Sequence, residues 1–154
     1  MTTRTLVRAT SIAATPDEIW TVLADFGSLS GWTPMIQHSC LLSEQSDGVG
    51  TVRRVQIARQ TLVETVTVWE PGHTLAYTIE GLPPIVGVAV NTWRITPTSS
   101  GADVTLTTGI DVGRNPVKAV IAGKVLERMA TASEFMLTGL AEATERSTNR
   151  ETTR

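Results

Sequence analysis

Residues 115–145 read NPVKAVIAGKVLERMATASEFMLTGLAEATE, and this stretch decides the architecture. Asn115 can cap a helix, and Pro116 suits its first position, where the missing N–H has no intrahelical partner to lose. Ala122, Val125, Met129, Ala132, Met136, Leu140 and Ala143 then recur at spacings of three and four. That spacing draws one apolar stripe along a helix of about eight turns, from Pro116 to about Glu145. Lys124, Glu127, Glu134 and Glu145 fall off the stripe. A single striped helix has to bury its apolar side against another layer. Residues 147–154 are polar and charged and are expected to fray as a flexible tail, which leaves 1–146 as one domain.

Working back toward the N-terminus, the period shortens to two. Strands are expected at Leu6–Ala13, Gln37–Glu44, Thr51–Ala58, Leu62–Trp69, His73–Glu80, Ile85–Thr96 and Asp103–Val112. The segments between them are Gly, Pro, Ser and Asp-rich turns: Ser46-Asp-Gly-Val-Gly50, Glu70-Pro-Gly72, Gly81-Leu-Pro-Pro84 and Ser99-Ser-Gly101. One helix interrupts the strands early. Thr15, Pro16 and Glu18 form a capping box ahead of Ile19, Trp20, Val22, Leu23 and Phe26. Gly27 ends that helix, and Ser28 to Trp32 give at most one more turn before Pro34. The class is α+β: seven strands joined by short turns make an antiparallel sheet, two short helices follow strand 1, and the C-terminal helix covers the apolar face. A strongly curved sheet around one helix tends to leave space between them.

Composition excludes several functions. Net charge is −2, and charged residues are 18% of the chain, below the roughly 25% of an average domain. Bulk electrostatic binding to nucleic acid or to an anionic membrane is not expected. One cysteine, Cys40, excludes an internal disulfide and a multi-thiolate zinc site. Two scattered histidines, His38 and His73, argue against a metal centre, and no cofactor is expected. The N-terminus lacks the apolar stretch of a secretory leader, and no apolar run approaches the ~20 residues of a membrane span. A cytoplasmic protein without integral membrane association is expected, as a monomer or homodimer.

Three motif look-alikes fail on context. Gly48-x-Gly50-x-x-Arg53 lies between strands and lacks the third glycine of a dinucleotide fingerprint. Gly27-Ser-Leu-Ser-Gly31 has leucine where a nucleophile elbow needs serine. Gly123-Lys124 lacks the upstream glycine of a phosphate loop.

The chain resembles the START/Bet v 1-like (SRPBCC) superfamily, close to its polyketide cyclase/dehydrase-like branch, over Thr5 to about Thr144. The carriers are Ala14-Thr-Pro-Asp-Glu-Ile-Trp20, Trp32-Thr-Pro34, Asp47-Gly-Val-Gly-Thr-Val-Arg53, Glu64, and Glu70-Pro-Gly72 before Tyr77. The resemblance implies a helix-grip fold with an apolar pocket between sheet and long helix. It also implies that the strand after Pro34 contributes an inward polar side chain, at His38, and that Trp32 lies in a pocket-closing region.

Alternation directs Arg53, Val55 and Ile57 to one face of their strand, and Leu62, Glu64, Val66 and Val68 to the matching face of the next. Inward Arg53 and Glu64 must pair or stay hydrated. They form a salt bridge at the sheet's end, a polar anchor for a ligand, or both. Tyr77 alternates with Leu75 and Ile79, so its buried hydroxyl needs a partner, and it is the foremost candidate to hydrogen-bond a ligand. Met129 and Met136 supply adaptable wall. The expected ligand site is therefore Trp32, His38, Arg53, Val55, Glu64, Val66, Tyr77, Ile79, Met129 and Met136. The leading expectation is binding of a small hydrophobic molecule such as a lipid, polyketide or aromatic metabolite. The rival is a cyclase or dehydratase using Tyr77, Glu64 or His38 as acid/base, with Arg53 stabilising an enolate. A third reading is a regulatory protein acting through a protein partner.

Overall fold

The computed structural model describes residues 2–153. Along the chain come β1 (Thr3–Ile12), α1 (Pro16–Ala24), a 3-10 helix (Phe26–Gly31), β2 (His38–Leu41) and β3 (Val52–Ile57). β4 (Gln60–Glu70), β5 (Thr74–Glu80), β6 (Ala89–Thr98), β7 (Gly101–Asp111) and α2 (Pro116–Thr152) follow. The strands form one seven-stranded sheet in the order β1-β7-β6-β5-β4-β3-β2, with every pairing antiparallel. β2 to β7 form a meander. β1 lies at the opposite edge from β2, and α1 and the 3-10 helix make the crossing. This is the expected α+β helix-grip arrangement.

Local chemistry sets the ends of the elements. Thr15 Oγ1 accepts from Glu18 N and Glu18 Oε2 accepts from Thr15 N, both at 3.2 Å, which completes the capping box of α1. Asn115 Oδ1 accepts from Val117 N and Lys118 N at 3.0 and 3.2 Å and so opens α2. In the β2–β3 connection Gly48 and Gly50 hold φ of 81° and 94°, a region that side chains disfavour.

Strand ends shift by up to four residues from the sequence expectation, β1 for example running Thr3–Ile12 instead of Leu6–Ala13, and three elements show a physical reason for the difference. α2 continues to Thr152 instead of stopping near Glu145, because no glycine or proline follows Gly139 to break it. β6 begins at Ala89, not Ile85. Pro83 and Pro84 cannot donate to a ladder, and Val86 N turns back to Pro83 O at 2.8 Å. β2 pairs with β3 over His38–Leu41 only, so Gln37 and Leu42–Glu44 lie outside the strand.

The packed face of α2 is also rotated from the expected stripe. Ala122, Leu126, Ser133, Met136, Leu137, Gly139, Leu140 and Thr144 are buried, whereas Val125, Met129, Ala132 and Ala143 are half-buried. Ala122, Met136 and Leu140 are common to the expected and observed sets. On the sheet, β4 carries a bulge between Val66 and Val68. Past it, Trp69 meets Trp20 of α1 edge-on, with ring centroids 5.2 Å apart.

Candidate functional site

Alternation on β3, β4 and β5 turns Val55, Leu62, Glu64 and Ile79 toward α2, and a pocket of about 290 Å³ lies between them and the helix. Val125, Met129, Ala132, Ser133 and Met136 of α2 form the facing wall, and Leu29, Met35 and Ile36 close one side. This explains the half-buried positions on α2: Val125, Met129 and Ala132 border open space instead of close packing. Gln60, Pro83 and Arg128 border the pocket and are exposed, so they mark its mouth. Three buried polar residues border it as well: Glu64, Asn91 and Ser133.

Beside the pocket lies a buried ion pair. Arg53 Nε donates to Glu64 Oε1 at 2.7 Å, and Arg53 Nη1 donates to Phe26 O at 2.9 Å. The guanidinium is 3.7 Å from the Phe26 ring centroid and 4.8 Å from that of Tyr77. Aromatic contacts therefore accompany the carboxylate, a setting in which a desolvated cation–π contact contributes about 2 kcal/mol. The Tyr77 hydroxyl accepts from Trp93 Nε1 at 3.1 Å and from Asn91 Nδ2 at 3.3 Å. Asn91 Oδ1 in turn accepts from Thr108 Oγ1 at 2.6 Å. Burial pushes the Tyr77 phenol above its ordinary 10.0; the Glu64 charge adds to this, while Arg53, Trp93 and Asn91 oppose it.

The ten expected site residues divide into two groups. Val55, Glu64, Ile79, Met129 and Met136 line the pocket. The other five do not. Arg53 is taken up by Glu64, Phe26 and the Tyr77 ring. Tyr77 is engaged by Trp93 and Asn91, so the expectation that its hydroxyl awaits a ligand is corrected. Val66 is sealed in the core at 1% exposure. His38 is exposed, because the inward positions of β2 are Ser39 and Leu41. Trp32 packs edge-on to Trp93, centroids 6.4 Å apart, and its Nε1 is buried without a partner among the described residues.

Sequence reasoning missed Asn91 and Ser133. Ser133 adjoins the stripe residue Ala132 and was hidden by the rotation of the packed face. Asn91 follows Ile85–Val90, a run apolar on both faces of a strand, so alternation gave no inward direction there. Among the described residues no group of three or more His, Cys, Asp or Glu is placed to hold a metal ion. No helix among them is long and apolar enough to cross a membrane.

Solved structures share this fold. An aromatase/cyclase, Zhui from Streptomyces sp. R1128, is 22% identical with a TM-score of 0.75, covering 94% of this chain and 95% of that one. Ara h 8.0201 is 15% identical with a TM-score of 0.71, over 94% and 99% of the two chains. The di-domain ARO/CYC BexL of the BE-7585A biosynthetic pathway is 15% identical with a TM-score of 0.76, over 93% of this chain and 50% of that one. No curated protein sequence matches the chain significantly. A family model does, over residues 3–145: the chain belongs to the polyketide cyclase/dehydrase and lipid transport family.

Proposed function

We propose that the protein binds a small, mostly apolar molecule in the pocket between the sheet and α2. One observation carries this reading: a space of about 290 Å³ with apolar walls from the sheet and from α2, buried polar groups and an exposed mouth. At the liquid volume of water it would hold roughly ten molecules, so the ligand is small. A cyclase or dehydratase is the second reading, supported by the family and by the aromatase/cyclase neighbours. Of the acid/base candidates Tyr77, Glu64 and His38, only Glu64 borders the pocket, so that reading rests on its carboxylate.

Native mass spectrometry of freshly purified protein tests the binding reading, beside titration with the apolar fluorophore 1-aminoanthracene. The expected result is a small-molecule adduct or a saturable fluorophore signal, lost when Ala132→Trp fills the pocket. Ligand-free protein that also leaves the fluorophore unbound would overturn it.

A further inference from the structure

Two polar atoms on buried residues bordering the pocket have no partner among the described residues, and they come from opposite walls. Glu64 Oε1 is held by Arg53, but no hydrogen bond reaches Oε2 among the described residues. Ser133 is 2% exposed, and among the described residues its hydroxyl makes no hydrogen bond. The contrast along α2 is informative. Thr144, Thr148 and Thr152 each donate to the carbonyl one turn back, at 2.7, 3.0 and 3.0 Å. That is the ordinary refuge of a helix hydroxyl, and Ser133 does not take it. Neither atom is sealed in packing. Among the described residues the only unpartnered polar side-chain atoms shut off from space are Trp32 Nε1 and Thr33 Oγ1. Glu64 Oε2 and Ser133 Oγ therefore open on the pocket.

Their chemistry is specific. A carboxylate engaged with arginine only accepts hydrogen bonds, so Glu64 Oε2 calls for a donor. A serine hydroxyl both donates and accepts. One group satisfies both at once: a hydroxyl that donates to Glu64 and accepts from Ser133. A ligand carboxylate in the same place would meet Glu64 with like charge, and an ether oxygen has no proton to give. A phenol suits the position best, since its acidic O–H makes a strong bond to a carboxylate.

Resting on the binding reading above, we infer that the pocket selects a small apolar alcohol or phenol, its hydroxyl held between Glu64 Oε2 and Ser133 Oγ. A roomy polar site of this kind has room for a bridging water when no ligand is bound. A ligand hydroxyl reproduces the water's bonds, and a methyl group of similar size does not.

The test titrates the intact protein with 2-naphthol and with 2-methylnaphthalene, two probes of nearly the same shape, followed by NMR shifts of the Asn91 and Ser133 amides. Apolarity alone favours the methyl compound. The inference expects 2-naphthol to bind at least about tenfold tighter. Ser133→Ala, a mild change on a helix, should cut naphthol affinity about fivefold and leave 2-methylnaphthalene unchanged. Glu64→Gln, if folded by circular dichroism, should shrink the preference further; if it does not fold, Ser133→Ala carries the test. Equal affinities, or a naphthol preference untouched by Ser133→Ala, would overturn the inference while the pocket reading stands. Failure of both probes to bind overturns the two together.

Discussion

Gly139 of α2 lies directly against the carbonyl of Trp32, so that a Cβ at residue 139 would overlap that backbone oxygen. Glycine costs a helix interior about 1 kcal/mol relative to alanine, and here the close approach explains why it stands. Gly139→Ala should therefore destabilise by about 1–3 kcal/mol, the cost of overpacking a tight contact. Gly123 is the control on the same helix, with nothing within 4 Å of its Cβ position. Gly123→Ala should stabilise by up to about 1 kcal/mol. Urea unfolding of the two variants checks the opposite signs.

The buried Arg53–Glu64 pair should show its cost when one partner is removed. Arg53→Ala leaves the Glu64 carboxylate buried without its cation and opens a gap between Phe26 and Tyr77. A loss of about 3–5 kcal/mol is expected. The double variant Arg53→Met/Glu64→Leu should recover most of that loss, because apolar replacement removes both desolvation costs. Chemical denaturation of single and double variants decides it.

For Tyr77 the structure reverses the sequence expectation. Tyr77→Phe leaves Trp93 Nε1 and Asn91 Nδ2 without their acceptor, so stability should fall by about 1–3 kcal/mol. Ligand affinity should stay nearly constant. A second signature is alkaline. The folded phenol titrates above its unfolded value of 10.0, so the native state keeps a proton that the unfolded chain releases. This stabilisation is complete below about pH 10 and is lost as pH rises toward the folded value. Wild-type stability should decline above pH 10 more steeply than that of Tyr77→Phe, as denaturation at stepped pH would reveal.

Helix faces give the fourth test. Leu140 is fully buried, so Leu140→Ala should cost about 2–5 kcal/mol. Met129 borders the pocket and should cost less when truncated, since no new cavity is cut into close packing. Glu127 is exposed, and Glu127→Ala should stay within about 0.5 kcal/mol. Equal melting temperatures for Leu140→Ala and Glu127→Ala would show the helix turned the other way.

Period and turn chemistry made the strands, the capping box of α1 and the start of α2 readable, since each depends on residues close in sequence. The inward direction of Arg53 and Glu64 was equally local: alternation on β3 and β4 decides it. What escaped depends on partners far along the chain. Tyr77 faces Asn91 across the β5–β6 register, and only that pairing reveals that its hydroxyl is already engaged. His38 was directed inward by resemblance, whereas the short pairing of β2 puts Ser39 and Leu41 inside. The packed face of α2 depends on how the helix rolls against the sheet, and both faces carry enough small or apolar residues to be buried.

The placement of β1 has a consequence for how the protein is assembled in time. Its Thr3–Ile12 ladder is completed by residues 102–111 of β7, register partners running from Thr3 with Asp111 to Ile12 with Ala102. The strand of this sheet that is synthesised before the others therefore has no native neighbour until the six that follow it have been made. Neighbouring hairpins from β2 to β7 can zip in sequence, but this last seam closes a loop nearly the length of the sheet-forming chain, and such closure is slow. In the interval β1 is an unpaired strand, and Arg4 and Arg8 place charge along it, a recognised defence against pairing with the wrong chain.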